Sequence, residues 1–148
     1  TTEYAYALDG LYVGDMPQTA YILGVTVKPV KGLQLQAIHK TYDKNYSDWS
    51  PGAREYDGTD ADADRSQVWE APGYSRLDLH MSYKLPKIND LDMTLTGHIF
   101  NVLDEVYVQD AVDNSRYNSW GSKEHLAHNA EVFLGTPRYA NIGLTINF

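Results

Sequence analysis

Apolar and polar residues alternate with a period of two along three stretches of the chain. In residues 74–85, Leu77, Leu79, Met81, Tyr83 and Leu85 are separated by Asp78, His80, Ser82 and Lys84. In residues 91–99, Leu91, Met93, Leu95 and Ile99 alternate with Asp92, Thr94, Thr96 and His98. At the C-terminus Ile142, Leu144, Ile146 and Phe148 alternate with Asn141, Gly143, Thr145 and Asn147. Successive side chains of a strand point to opposite faces, so this period predicts strands with one apolar and one polar face. Two earlier stretches fit less regularly: Tyr21, Leu23, Val25 and Val27, and then Leu33, Leu35 and Ala37 leading into Tyr42 and Tyr46. The pattern predicts five strands and an all-β fold.

The connections between these strands alternate in length. Only Lys28-Pro29-Val30-Lys31-Gly32 separates the first two strands, and only Pro86-Lys87-Ile88-Asn89-Asp90 separates the third and fourth. These read as tight turns. The other two connections, residues 47–73 and 104–137, are far longer than a compact domain usually carries without a use for them. Short turns at one end and long loops at the other are the organisation of an antiparallel transmembrane β-barrel, whose periplasmic turns are short and extracellular loops long. Aromatic residues gather where strands meet loops: Tyr42, Tyr46, Trp49, Tyr74, Phe100, Tyr107 and Tyr139, where an aromatic girdle at the bilayer interface is expected. Alternation alone would equally suit a soluble antiparallel sheet, and the loop asymmetry separates the two readings.

Charge follows the same division. Residues 47–73 hold seven acidic and two basic residues and residues 104–137 hold six and two, so the loops carry −9 of a formal net charge of −8 and the rest sums to +1. An acidic chain lacks the phosphate-neutralising surface that nucleic acids require, so no nucleic-acid partner is expected. The absence of cysteine removes disulfides, thiolate nucleophiles and cysteine-based zinc sites. Mean hydropathy is −0.47, and no apolar run approaches the roughly 20 residues of a membrane-spanning helix, a limit that leaves β-barrels untouched. The chain begins at Thr1 without an initiator Met or leader, which suggests a processed or partial product.

Five strands cannot close a barrel. Open strand edges in hydrocarbon leave backbone groups unpaired at several kcal/mol each, and the smallest barrels of this class have about eight strands. An odd count also leaves the first and last strands parallel, which disfavours a ring of identical copies. The chain is therefore expected to be the C-terminal portion of a larger barrel. A small self-contained pore would instead need further strands in residues 4–8 or inside the long loops.

Four elements resemble, in order, the C-terminal barrel of TonB-dependent outer-membrane receptors. They are Gly14-Asp15-Met16-Pro17-Gln18, Pro72-Gly73-Tyr74-Ser75-Arg76-Leu77-Asp78-Leu79, Phe100-Asn101-Val102-Leu103-Asp104-Glu105-Val106-Tyr107 and Gly135-Thr136-Pro137-Arg138. The last eight residues, with Asn141, Gly143, Ile146 and the terminal Phe148, are similar to the signal by which the outer-membrane assembly machinery receives its substrates by strand addition. The resemblance implies the last five strands of a 22-stranded barrel in the bacterial outer membrane, with long loops extracellular and the C-terminus periplasmic. It further implies import of a scarce solute, such as a ferric siderophore or similar chelate. The implied partners are the remaining strands and plug domain of the same receptor, a TonB energy-coupling complex engaged through a segment these residues lack, outer-membrane lipid and, in some members, a surface lipoprotein. The Gly-Tyr-Asp-Pro-Glu stretch typical of SusC-like glycan or peptide importers is not seen; Tyr107-Val108-Gln109-Asp110 stands there, which places that class second. The remaining alternatives are a small outer-membrane pore and a soluble β-sheet interaction domain.

No Ser/His/Asp arrangement, phosphate-cradling loop or carboxylate pair points to an enzyme, and no cofactor is implied. Asp60, Asp62 and Asp64 alternate like the opening of a calcium loop, but Arg65 and Ala71 stand where such a loop needs Gly and Glu. Glu124, His125, His128 and Glu131 would share a face, and suit a transition metal, if residues 122–132 were helical. His80 and His98 read as hydrogen-bonding groups lining a lumen. The large amphipathic and cationic residues of the loops, Trp49, Arg54, Tyr56, Trp69, Arg116, Tyr117 and Trp120, are the candidates for gripping a solute. The acidity of the loops favours a neutral or cationic one.

Overall fold

The computed structural model describes residues 4–57, 63–87, 91–115 and 124–147. In chain order its strands are β1 (Ala5–Tyr6), β2 (Pro17–Val27), β3 (Leu33–Tyr46), β4 (Glu55–Tyr56), β5 (Glu70–Ala71), β6 (Tyr74–Lys84), β7 (Asp92–Phe100), β8 (Val108–Asp113), β9 (Ala130–Leu134) and β10 (Tyr139–Asn147). The chain divides into two compact units. A sheet unit comprises Ala20–Tyr42, Tyr74–Val106 and Thr136–Phe148, and a loop unit comprises Thr1–Thr19, Asp43–Gly73 and Tyr107–Gly135.

The sheet unit is built on the five strands that the alternation predicts. They pair in the order β10-β7-β6-β3-β2, so each neighbours the one before it in this set, and the three pairings from β3 to β10 are antiparallel. The register sorts the side chains onto two faces, since residues directly opposite one another share a face. Leu35↔Met81↔Gly97↔Ile142 and Tyr83↔Leu95↔Leu144 run across the apolar face, while Gln34↔Ser82↔Thr96↔Gly143 runs across the polar one. Gly32, at φ 86°, turns the chain between β2 and β3; its carbonyl accepts from Lys84 N, and a Cβ there would meet Lys84 O at 2.7 Å.

Nothing among the described residues of this unit covers the apolar face. Tyr21 is 70% exposed and Ile142 75%, and Leu23, Val25, Leu144 and Ile146 are also exposed. The buried apolar side chains among the described residues, Ala7, Val68, Ala71, Tyr107 and Ala111, all belong to the loop unit.

Where β7 ends, a hydrogen-bonded corner joins three segments distant in sequence. The Asn101 backbone N–H donates to Asp78 Oδ1 at 3.0 Å, and its side-chain amide donates to the carbonyls of Glu105 and Thr136 at 2.9 and 3.2 Å. Asn101 Oδ1 accepts from Glu105 N, and Asp104 Oδ1 accepts from Arg138 N at 2.8 Å. Asp78 is also ion-paired to Lys40 at 2.9 Å. Asn101 and Asp104 hold φ of 50° and 56°, a left-handed conformation that Asn and Asp tolerate better than other L-residues.

The described parts of the long connections are structured, and some of their strands lie outside the five of the sequence pattern. Within the loop unit β1 pairs with β4, β8 with β9, and β5 with the end of β3 through Asn45↔Ala71 and Tyr46↔Glu70. The β1–β4 and β8–β9 pairs are separate two-stranded sheets and do not extend the five-stranded set. Gly14 is buried where a Cβ would lie 2.4 Å from Asp48 Cα, and Asp48 in turn bridges to Val112. Gly135 lies so close to Tyr107 that a Cβ would fall 1.9 Å from the ring. The helix expected over 122–132 is not found among its described residues, 124–132: Ala127–Asn129 is one 3₁₀ turn and β9 follows at once.

Candidate functional site

On the polar face of the sheet, the loop-side ends of the strands carry two aromatic pairs. Tyr42 and Tyr74 face each other at 5.1 Å between ring centroids, and Phe100 stacks on Tyr139 at 4.7 Å. The register puts all four on the face that holds Lys40, Asp78, His80 and His98. This corrects the girdle expected from the sequence. The rings do lie where strands meet loops, but on the polar side, while Tyr46, Trp49 and Tyr107 belong to the loop unit. His80 and His98 are cross-strand partners with Nδ1 atoms 2.8 Å apart, and the Phe100 ring packs against both.

In the loop unit, Tyr12 stacks on Tyr46 at 4.4 Å, the indole N–H of Trp49 donates to Tyr12 O at 2.8 Å, and Tyr46 OH donates to Glu70 Oε2 at 3.0 Å. Trp49 and Trp69 are half-buried. The Trp69 carbonyl accepts from both N and Oγ of Ser47. The guanidinium of Arg65 lies 5.9 Å over the half-buried Tyr56 ring, within the range of a cation–π contact.

Arg54 sits differently from these. It is 1% exposed, its Nη1 donates to the carbonyls of Asp64 and Ser66, and it forms an ion pair with Asp64 Oδ1 at 3.1 Å. His125 continues the network, its Nε2 2.8 Å from Asp64 Oδ2 and its Nδ1 2.8 Å from Asp113 Oδ2. A buried cation surrounded by acceptors has its charge matched inside the loop unit, and removing either partner of such a pair strands the other. Arg54 thus acts as an internal anchor rather than a surface grip. Burial pushes the Asp64 carboxyl up, but hydrogen bonds from the Ser66 hydroxyl, His125 and the Ser66 N–H, with the Arg54 charge, outweigh it and hold the group below the usual aspartate value.

Of the alternating aspartates, Asp64 is therefore engaged with Arg54 and His125, and Asp60 and Asp62 lie outside the described residues, as do Arg116, Tyr117, Trp120 and Phe148. The Glu124, His125, His128 and Glu131 set does not assemble: His125 turns to two aspartates, Glu131 accepts from Asn114, and only His128 and Glu124 approach, at 3.8 Å. Among the described residues no group of three or more His, Asp or Glu side chains is arranged to hold a metal ion. Asp113 and Ser115, both in contact with His125, belong to the same network. The readable signal was a repeated Asp-x-Ser: in Asp64-Arg65-Ser66 and Asp113-Asn114-Ser115 alike, the aspartate accepts from the serine N–H at 3.1 Å, the local turn this spacing favours.

Compared with protein-family models, with curated proteins and with solved structures, the chain matches none.

Proposed function

We propose that this chain forms the last five strands of a TonB-dependent outer-membrane receptor, part of the wall of a 22-stranded barrel that imports a scarce solute, with a ferric siderophore or similar chelate as the candidate. The observation that carries the reading is the uncovered apolar face of the sheet. In water, an apolar face of this extent would need a covering layer. In lipid it needs none, because hydrocarbon is its solvent. β2, β3, β6, β7 and β10 run 11, 14, 11, 9 and 9 residues, against the roughly 9–11 that a tilted strand needs to cross a bilayer. The edge strands β2 and β10 offer ladders on which a larger barrel would continue.

The convergence of the sequence elements adds independent support. Asp78, Asn101 and Arg138 come from three of the four elements that resemble the receptor family, and each contributes to the corner at the end of β7. A self-contained small pore is disfavoured, because the β1–β4 and β8–β9 pairs stand apart from the five-stranded set. On the receptor reading, the aromatic pairs of the polar face and the half-buried Trp49, Tyr56 and Trp69 are the candidate solute contacts.

The cysteine-free chain suits a direct test. Single cysteines at Leu23, Leu79 and Leu144, and at Gln34, Ser82 and Thr96, are spin-labelled in outer-membrane vesicles. The first set is expected to relax with lipid-soluble oxygen and the second with a water-soluble nickel chelate. Equal access of both reagents to both sets would sink the proposal. Uptake of radiolabelled ferric chelate by cells carrying Trp49→Ala or Trp69→Ala then tests the solute class, an unchanged rate counting against it.

A further inference from the structure

We propose that His80 and His98 form a two-imidazole site for a divalent transition metal, copper(II) before zinc(II), on the polar face of the sheet. The inference rests on the sheet's own register and does not require the receptor reading. One rung across four strands reads Gln36↔His80↔His98↔Asn141, so two carboxamides flank two imidazoles on the same face. The two Nδ1 atoms are 2.8 Å apart, and the Phe100 ring holds both imidazoles, edge-on to His80 at 5.4 Å and stacked on His98 at 6.0 Å.

Metals differ in the separation they require of the two nitrogens. Two nitrogens each about 2.05 Å from one ion lie about 2.9 Å apart at the right angle of a tetragonal site and about 3.3 Å apart at a tetrahedral angle. The metal-free pair stands at the spacing of an N–H···N hydrogen bond, so the tetragonal case asks for the smaller opening, and the Irving–Williams order also favours copper(II). Without metal, two neutral rings facing through Nδ1 share one proton. Binding leaves both rings neutral: the shared proton moves to Nε2 of its own ring, and the cation takes both Nδ1 lone pairs. The remaining positions are open to the amide oxygens of Gln36 and Asn141 or to water. A groove of about 420 Å³ beside the pair, lined also by Gln34, Ser82, Thr96 and Phe100, admits a hydrated ion.

The test uses the detergent-extracted protein as it is isolated, with any strands that accompany these residues, and copper(II) sulfate alone, read by calorimetry and electron paramagnetic resonance. The wild type should bind one copper with two imidazole nitrogens in the hyperfine pattern and hold zinc(II) more weakly. H80Q and H98Q preserve a polar residue on the rung, and unchanged far-UV circular dichroism checks their fold. Each should weaken copper binding roughly a hundred-fold, as loss of one of two linked attachments does, and leave one nitrogen in the pattern. The exposed histidines supply controls, so H39Q and H128Q should bind as the wild type does. Equal affinity in the wild type, H80Q and H98Q, or loss of the signal in H39Q or H128Q instead, would overturn the proposal.

Discussion

Asn101 shows how much one side chain can hold. Its positive φ turns the chain out of β7, and its amide closes three hydrogen bonds, two with Glu105 close by in sequence and one with the distant Thr136. Alanine at this position would strain the left-handed backbone and leave two carbonyls and one N–H without their partner. Asn101→Ala should therefore cost about 3 kcal/mol in denaturant unfolding, with Asn101→Gly recovering only the backbone part. Asp64 provides the corresponding case in the loop unit. A carboxyl whose folded-state pKa lies below its unfolded value contributes stability that is complete above the unfolded value and lost as pH falls through the folded one. Tryptophan fluorescence of the loop unit should thus show acid unfolding over that window, and Asp64→Asn should weaken the unit at neutral pH and flatten the dependence. The same acid transition in wild type and variant would contradict the role given to Asp64.

The strands were legible because a half-buried sheet imposes a period of two, and β6, β7 and β10 keep it almost without exception. β2 and β3 were readable mainly from the short turn at Gly32 that joins them. The faces were legible too, and parity along each strand puts Tyr74 with Asp78, Phe100 with His98 and Tyr139 with Asn141; the register adds the pairing of these rings across strands, Tyr42 with Tyr74 and Phe100 with Tyr139. The internal order of the long connections was invisible to periodicity because β1, β4 and β5 are two residues long and depend on partners far along the chain. Arg54 misled for a related reason: a lone arginine among acids reads as exposed until a fold buries it beside Asp64. Opposite roles for neighbouring residues of β10 follow from the faces. In bilayer-embedded material, Leu144→Lys should cost about 2 kcal/mol in unfolding and Thr145→Lys close to nothing, and equal costs would mean that the apolar side is not in lipid.

Each unit of the molecule solves its own solvation problem. The loop unit buries Val68, Ala71, Tyr107 and Ala111 and matches Arg54 with Asp64, as a domain in water does. The sheet unit leaves its apolar face uncovered and its two outer strands, β2 and β10, without a further neighbour among the described residues. On the reading we propose, a wall shared between lipid and an aqueous lumen, completed by more strands, would account for both features. The most direct test is the intact mass of detergent-extracted material, measured first under native and then under denaturing conditions. The account predicts that these residues travel natively in, or with, a polypeptide far larger than 16.7 kDa. A 16.7 kDa species that is alone, folded and soluble without detergent would contradict it.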